Sequence, residues 1–472
     1  MIKEFSIENF KSFKNKQSMR MAPITLIYGP NSSGKSSIIQ SLISIKHTTE
    51  NNSPIGSLKT HGSLIELGGF ASVVHKHDTD SDISFGIKYT MNTHIEPSPD
   101  VGVILGRKQE RDVKMSFSYG ETSDKKSSSY LNKYSFEITS SDTRQFKISL
   151  SNLFEKDKVK LLSSLDNLCK FKFSDNESMD ECLEYIQKRI KRSYSAHSKN
   201  LSEELYRREL NALKSGHFII DRNRCFPSNI DIQGAFTTKM MIDTLAEDIK
   251  EKMKSVYYLG PLRCYPSKIS ISTSEDSLYV GKDGQDTIKM LYDNDLNILE
   301  SINNYFSKFQ IPYRMTIHNL GNNMSGNVLY MLLEDLRTKV KVTASDVGFG
   351  IGQLLPIIVQ GLAGKDQTIC VEQPEIHLHP VLQGHFGDYF IDTAKTRNNQ
   401  WLIETHSESL MLRLQRRIKE GVIKNSDVCV LYVDAKKNGA EVTELRLDQD
   451  GDFIDSWPNG FFEERFNDVF GY

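Results

Sequence analysis

Apolar and polar positions change their period several times along this chain. From Ile2 to Phe13 they roughly alternate, with a break near Asn9-Phe10, which predicts an edge or half-buried strand running into a turn. Ile24-Thr25-Leu26-Ile27-Tyr28 is short, apolar and rich in β-formers, the pattern of a buried strand. From Ser37 to about Ile45 the apolar residues Ile38, Ile39, Leu42 and Ile43 fall at helical spacing. Gly62, Gly68 and Gly69 with Leu64, Leu67, Phe70, Val73 and Val74 predict a loop and short helix. Ile83–Tyr89, Val113–Tyr119, Tyr134–Ile138 and Phe146–Leu150 alternate between polar turns, the signature of an antiparallel sheet. Met179–Arg192, Leu201–Lys214 and Met240–Val256 predict amphipathic helices. Tyr257–Leu259 predicts a strand closed by a Gly260-Pro261 turn, and Gly281–Gly284 a further turn. Beyond them come a helix over Asn297–Phe306, strands at Tyr313–His318, Val328–Leu333 and Val340–Val342, an apolar helix Leu354–Leu362, and apolar strands at Gln367–Val371 and Trp401–Glu404.

These elements predict an α/β fold, with an antiparallel β subdomain and an inserted helical arm. The expected divisions are residues 1–155 (first lobe with the β subdomain), 156–256 (helical arm), 257–434 (second lobe) and 435–472 (C-terminal segment). A chain of 472 residues exceeds what one core usually serves. Its formal charge of -2 gives no global attraction to nucleic acid or an anionic membrane, so a polyanion site has to be local. Six scattered cysteines without a C-x-x-C pair argue against a zinc site or a disulfide framework. Met1-Ile2-Lys3-Glu4 does not read as a signal peptide, and the longest apolar run, about Phe349 to Leu362, is too short to span a bilayer. The expectation is a soluble, cytoplasmic protein with no membrane contact.

Between the first buried strand and its helix stands Gly29-Pro30-Asn31-Ser32-Ser33-Gly34-Lys35-Ser36-Ser37, the G-x-x-x-x-G-K-S phosphate loop in its required strand–loop–helix setting. Gly29 and Gly34 let backbone N–H groups turn towards phosphates, and the helix N-terminus adds partial positive charge. Lys35 would reach the β/γ-phosphates of ATP, and the Ser36 hydroxyl would ligate Mg²⁺. Gln367–Val371 runs into Glu372, an acidic strand end suited to hold that Mg²⁺ directly or through water. Trp401–Glu404 runs into Thr405-His406, and a histidine there can sense the γ-phosphate. Gly348, Gly350, Gly352 and Gln353 open the apolar helix and make a second anion site. One subunit does not need two such helix ends for one ATP, whereas two subunits facing each other do. Arg263 has two open readings, a phosphate contact or a structural ion pair. Lys188, Arg189, Lys191 and Arg192 form the most basic run, a solvated helix face or a patch for DNA or a partner protein.

Together these motifs resemble the ABC-type ATPase heads of the SMC-like and OLD-like branch, over roughly residues 1–75 and 255–472. Ile7–Phe13 resembles the first strand of those heads and Gly29–Ser36 matches Walker A. Gly348–Gln353 resembles a variant signature, with Gly352 where the branch usually has serine. Val371–Pro380 resembles the Walker B and D-loop region, and Thr405-His406-Ser407 the switch-histidine motif. Gly451–Phe462 resembles the end of a bacterial ATPase subfamily whose last domain has no assigned function. The resemblance implies ATP and Mg²⁺ as ligands, a homodimer or higher homo-oligomer through the ATPase heads, and a separate effector such as a nuclease or toxin. It also extends to ATPase subunits of anti-phage systems such as Septu, PARIS and retron cassettes. No TOPRIM nuclease domain is expected after His406.

The sequence departs from the usual acid-then-glutamate pair, because Gln373 follows Glu372. An amide can orient a water but cannot take its proton. The expectation is slow hydrolysis, or recruitment of Glu375, Glu404 or His406. Two alternatives stand beside a working ATPase: a nucleotide-locked scaffold with negligible turnover, and a DNA-repair clamp like the RecF branch.

Overall fold

The computed structural model describes residues 1–50, 56–91, 111–121, 129–140, 143–153, 170–194, 199–216, 218–220, 226–230, 236–264, 267–272, 279–293, 296–322, 326–347 and 349–458. Three sheets organise them. The central one has six strands in the spatial order Val256–Leu259, Thr368–Glu372, Gln400–Glu404, Ile24–Tyr28, Val428–Lys436 and Gly439–Leu445. The first five are mutually parallel and the last is antiparallel to its neighbour. Ile24–Tyr28, Thr368–Glu372 and Gln400–Glu404 are buried at every position, as strands covered on both faces must be. Alternate side chains enter opposite cores. Leu26, Tyr28, Val371, Trp401, Ile403, Val430 and Tyr432 join one apolar cluster; Ile27, Cys370, Leu402, Cys429, Leu431 and Val433 join the other.

The second sheet is a nine-stranded meander in which all neighbours are antiparallel. It begins at the edge strand Gln17–Arg20 and passes through Ile2–Glu8, Ile83–Thr90, Asp112–Glu121, Ser129–Ser140, Thr143–Asn152, Lys170–Phe173 and Phe218–Ile220 to Pro227–Ile230. Its four expected strands lie within the observed ones. Ile2–Glu8 is half-buried but not at the edge, because Gln17–Arg20 covers it. The third sheet joins Tyr313–Asn319, Asn327–Asp335 and Ile269–Ser272, with Lys341–Thr343 also paired to Asn327–Asp335.

The expected division of the chain changes at two places. Residues 156–256 are not a free-standing helical arm. Their described part supplies three strands of the nine-stranded sheet together with the helices Asn176–Tyr194, Lys199–Ser215 and Phe236–Lys254. Cys182, Ile186, Met241, Leu245, Ile249 and Met253 lie in the same core cluster as Phe5 and Ile38. The amphipathic faces that suggested an arm are therefore spent on intramolecular packing. The boundary at 434/435 also falls inside Val428–Lys436, whose hairpin partner Gly439–Leu445 closes the central sheet. Trp457 then packs edge-on against Tyr28, with ring centroids 5.4 Å apart. Among the described residues no helix is long and apolar enough to cross a membrane.

Gln400 fastens the first strand to the central sheet. Its side chain accepts from Ile2 N at 2.9 Å and donates to Ile2 O at 2.6 Å and Ala22 O at 3.1 Å. At the other end of the first strand the N-terminal turn meets the phosphate loop, with Ser12 against Gly34.

Candidate functional site

Because five strands of the central sheet run the same way, their C-terminal ends open on one side, where open α/β sheets bind ligands. Gly29–Ser37 follows the strand Ile24–Tyr28 and leads into the helix Lys35–Glu50. Gly29 and Gly34 have φ of 146° and 108°, values L side chains rarely adopt. A Cβ on Gly29 would lie 2.2 Å from Val433 O, and one on Gly34 2.1 Å from Ser12 Oγ. Lys35 is 4% exposed and its Nζ donates to Gly29 O at 3.0 Å and Pro30 O at 2.8 Å. Burial lowers its pKa, opposed by Glu404 and Glu375.

A cleft of about 560 Å³ is lined by Lys11, Ser12, Asn31, Ser32, Gly34, Lys35, Ser36, Ser37, Gln40, Gln373 and Glu404. Beside the phosphate loop, Gln373 and Glu404, the cleft is thus completed by an N-terminal turn. Asn9 and Lys11 have positive φ, and Lys11 Nζ donates to Gln40 Oε1 at 2.6 Å. Lys11, Ser12 and Gln40 were missed in the sequence. The break in alternation at Asn9-Phe10 foretold a turn, but nothing local revealed what that turn faces.

Glu372 ends its strand 6% exposed, directly opposite Glu404 in the ladder. Burial and then the Glu404 charge push its pKa up to about 7, while the Tyr258 hydroxyl, donating to Oε1 at 3.0 Å, works the other way. Gln373 lines the cleft with a left-handed backbone, φ 45°, and its N–H donates to Glu404 O at 2.7 Å. Glu404 is 5% exposed. Burial raises its pKa, opposed by a hydrogen bond from Ser36 and by Lys35. Glu375 accepts from Thr405 Oγ1 and from His406 N, both at 2.7 Å, so it braces the turn that carries them. His406 is half-buried there; burial and then Lys35 lower its pKa, which keeps the ring neutral at pH 7.

Arg263 resolves to the structural reading. It is 3% exposed; Nη1 donates to Gly260 O at 2.8 Å and Glu372 O at 3.0 Å, Nη2 to Gln373 O at 2.9 Å, and Nε to Gln353 Oε1 at 3.2 Å. It straps the acidic strand end to the helix Phe349–Ala363. This corrects the expectation for Gln353. Its side chain is 1% exposed and its Nε2 donates back to Arg263 O at 3.0 Å, so it faces its own chain rather than a second subunit's nucleotide. Gly352 is likewise buried and lines a separate cavity of about 280 Å³ with Cys264, Gly284, Leu355 and Pro356. Gly350 is half-buried, and Gly348 lies outside the described residues. In the basic run only the Lys188 side chain is described; it is exposed and pairs with Glu184 at 2.5 Å, one helical turn away. The Arg189, Lys191 and Arg192 side chains lie outside the described residues.

The donor set fits a Mg²⁺-bound triphosphate. The loop has backbone freedom and no room for a Cβ, a lysine is held at its mouth, and a serine hydroxyl stands beside a buried carboxylate. Among the described residues no group of three or more His, Cys, Asp or Glu could hold a metal unaided. Phosphate oxygens and water would complete the shell of such a cation.

No curated protein matches this chain significantly. Its fold is similar to an SMC head bound to the C-winged helix domain of ScpA, at 12% identity and TM-score 0.40, over 95% of this chain and 98% of that one. It is also similar to an SMC head with an extended coiled coil bound to the C-terminal domain of ScpA from Pyrococcus furiosus (12%, TM-score 0.39, covering 94% and 96%) and to the SMC head domain from Thermotoga maritima (9%, TM-score 0.39, covering 94% and 99%). These scores carry no functional weight. Residues 423–470 match a family described as a protein of unknown function, DUF3696. Residues 1–411, which include the phosphate loop and every strand end of the cleft, match the AAA ATPase domain model, and the chain belongs to the AAA ATPase domain family.

Proposed function

We propose that this chain binds ATP with Mg²⁺ in the cleft above the central sheet, hydrolyses it slowly, and uses the nucleotide state to close head-to-head with a second copy and gate a separate effector. The observation that carries this reading is the convergence of Lys35, Ser36, Gln373 and Glu404 on one cleft from three different strand ends. The loop N–H groups and Lys35 would take the β- and γ-phosphates. Lys35 would exchange its two loop carbonyls for phosphate oxygens. Ser36 and the acidic strand ends Glu372 and Glu404 would hold Mg²⁺ directly or through water, and the cation supplies charge neutralisation between the β- and γ-phosphates. Gln373 would orient the attacking water without removing its proton. Neutral His406, braced through Glu375, would hydrogen-bond the γ-phosphate.

Gln373 favours a second reading, a nucleotide-locked scaffold with negligible turnover. The helix end at Gly350 remains the surface for a partner's nucleotide. The anti-phage setting rests on motif resemblance alone. ATP binding and turnover by the purified protein, beside Lys35→Ala and with or without duplex DNA, test these readings. Turnover lost in Lys35→Ala supports the ATPase, and tight binding without turnover supports the scaffold. Stimulation by DNA would favour a repair clamp, and ATP-independent assembly state would overturn the head-to-head dimer.

A further inference from the structure

Two buried carboxylates, Glu372 and Glu404, and the half-buried Glu375 stand near the end of the phosphate loop, and their surroundings separate them. Glu375 has both oxygens committed, one to Thr405 Oγ1 and one to His406 N. Glu372 accepts from Tyr258 and does not line the cleft. Glu404 does line it. It shares the cleft with Ser36, and its Oε2 is fully buried with no hydrogen-bond partner, in a residue only 5% exposed. A buried acceptor left unmade costs free energy, so it persists where a ligand completes it.

The order of the strands decides which acid stands nearest. Gln400–Glu404 lies between Ile24–Tyr28 and Thr368–Glu372, with Glu404 opposite both Ile27 and Glu372. Neighbouring strands are about 4.8 Å apart. Glu372 is therefore one strand spacing farther from the loop than Glu404, whereas Mg²⁺ takes its oxygens at roughly 2.1 Å.

We infer that Glu404, not Glu372, is the carboxylate that meets the nucleotide-bound divalent cation, sharing it with Ser36, and that Glu372 stands behind it in an outer position. This division of labour rests on the reading of the cleft as an ATP site. Glu404→Gln preserves size and the ability to hydrogen-bond Ser36 while removing the anionic oxygen.

Mn²⁺ with a non-hydrolysable ATP analogue is the probe. Electron paramagnetic resonance reads bound Mn²⁺, and analogue binding is measured separately with and without metal. Glu404→Gln is expected to bind the metal-free analogue at least as tightly as the wild type, because a like charge beside the triphosphate is removed, but to lose about 10–100-fold in Mn²⁺ affinity of the complex; the loss in Glu372→Gln should be smaller. Glu404→Asp, which keeps the charge, should recover part of the loss and guards against a folding defect. An equal or larger loss in Glu372→Gln, or wild-type Mn²⁺ affinity in Glu404→Gln, overturns the assignment while leaving the ATP site standing. Failure of the wild type to bind the analogue at all overturns both.

Discussion

The two large sheets solve the same packing problem with opposite consequences for chemistry. In the nine-stranded sheet the chain reverses at every step, so strand ends of both senses lie on each side. Its strands alternate exposure, as Asp112–Glu121 does, and the apolar half forms a core of stacked rings such as Phe117, Tyr134 and Phe226. In the central sheet five parallel strands bring their C-terminal ends together. Phosphate loop, Glu372 and Glu404 then share one rim although up to hundreds of residues separate them in sequence. Parallel order gathers functional groups; antiparallel order supports them.

The sharpest test of that contrast pairs one substitution from each sheet. Phe117→Ala should cost about 3–5 kcal/mol in denaturant unfolding, through the lost stack and the cavity left behind, while the folded fraction retains its nucleotide affinity. Gly34→Ala should lose nucleotide binding at a smaller cost in stability, about 1–3 kcal/mol, because a Cβ there meets Ser12 Oγ at a φ of 108° that L side chains rarely adopt. Loss of nucleotide affinity in folded Phe117→Ala would break the division between support and site.

A smaller effect concerns the missing base. If proton removal limits turnover, Gln373→Glu should accelerate it by about 10²-fold or more, the usual range for a general base. Unchanged single-turnover rates would place the limit elsewhere on the rim.

The rim also carries a pH signature of its own. Glu372 has its pKa raised to about 7 from 4.5 by burial and by Glu404. In the window between these values the unfolded chain ionises this group first, so nucleotide-free stability falls as pH rises towards 7. The contribution is on the order of 1–3 kcal/mol. Glu372→Gln should flatten that part of the pH–stability curve, measured by chemical denaturation. An identical slope in the variant would remove Glu372 as its source.

The smallest effect belongs to the surface. Lys188→Ala should change stability by no more than about 0.5 kcal/mol in urea unfolding, as expected for an exposed pair one helical turn apart. A larger loss would give that face a packing role.

Much of this was legible in order of sequence. The phosphate loop is a contiguous motif whose glycines, lysine and serine carry their own reasons. The buried strands Ile24–Tyr28, Thr368–Glu372 and Gln400–Glu404 announced themselves as apolar runs, and Phe117's strand as an alternation, because the period of burial is written in neighbouring residues. The helices of 176–254 were legible too, but not what covers them. An amphipathic stripe states that a face is buried and leaves open against what, so a helical arm and a sheet-packed layer look alike. Only the tertiary structure decided that Gln353 turns inward to Arg263, that Lys11 reaches the phosphate loop, and that Gly439–Leu445 completes the central sheet. The same holds for the carboxylates. Glu372, Glu375 and Glu404 are equally acidic in sequence, and their roles separate through strand order and hydrogen-bond partners, which are contacts between residues distant along the chain.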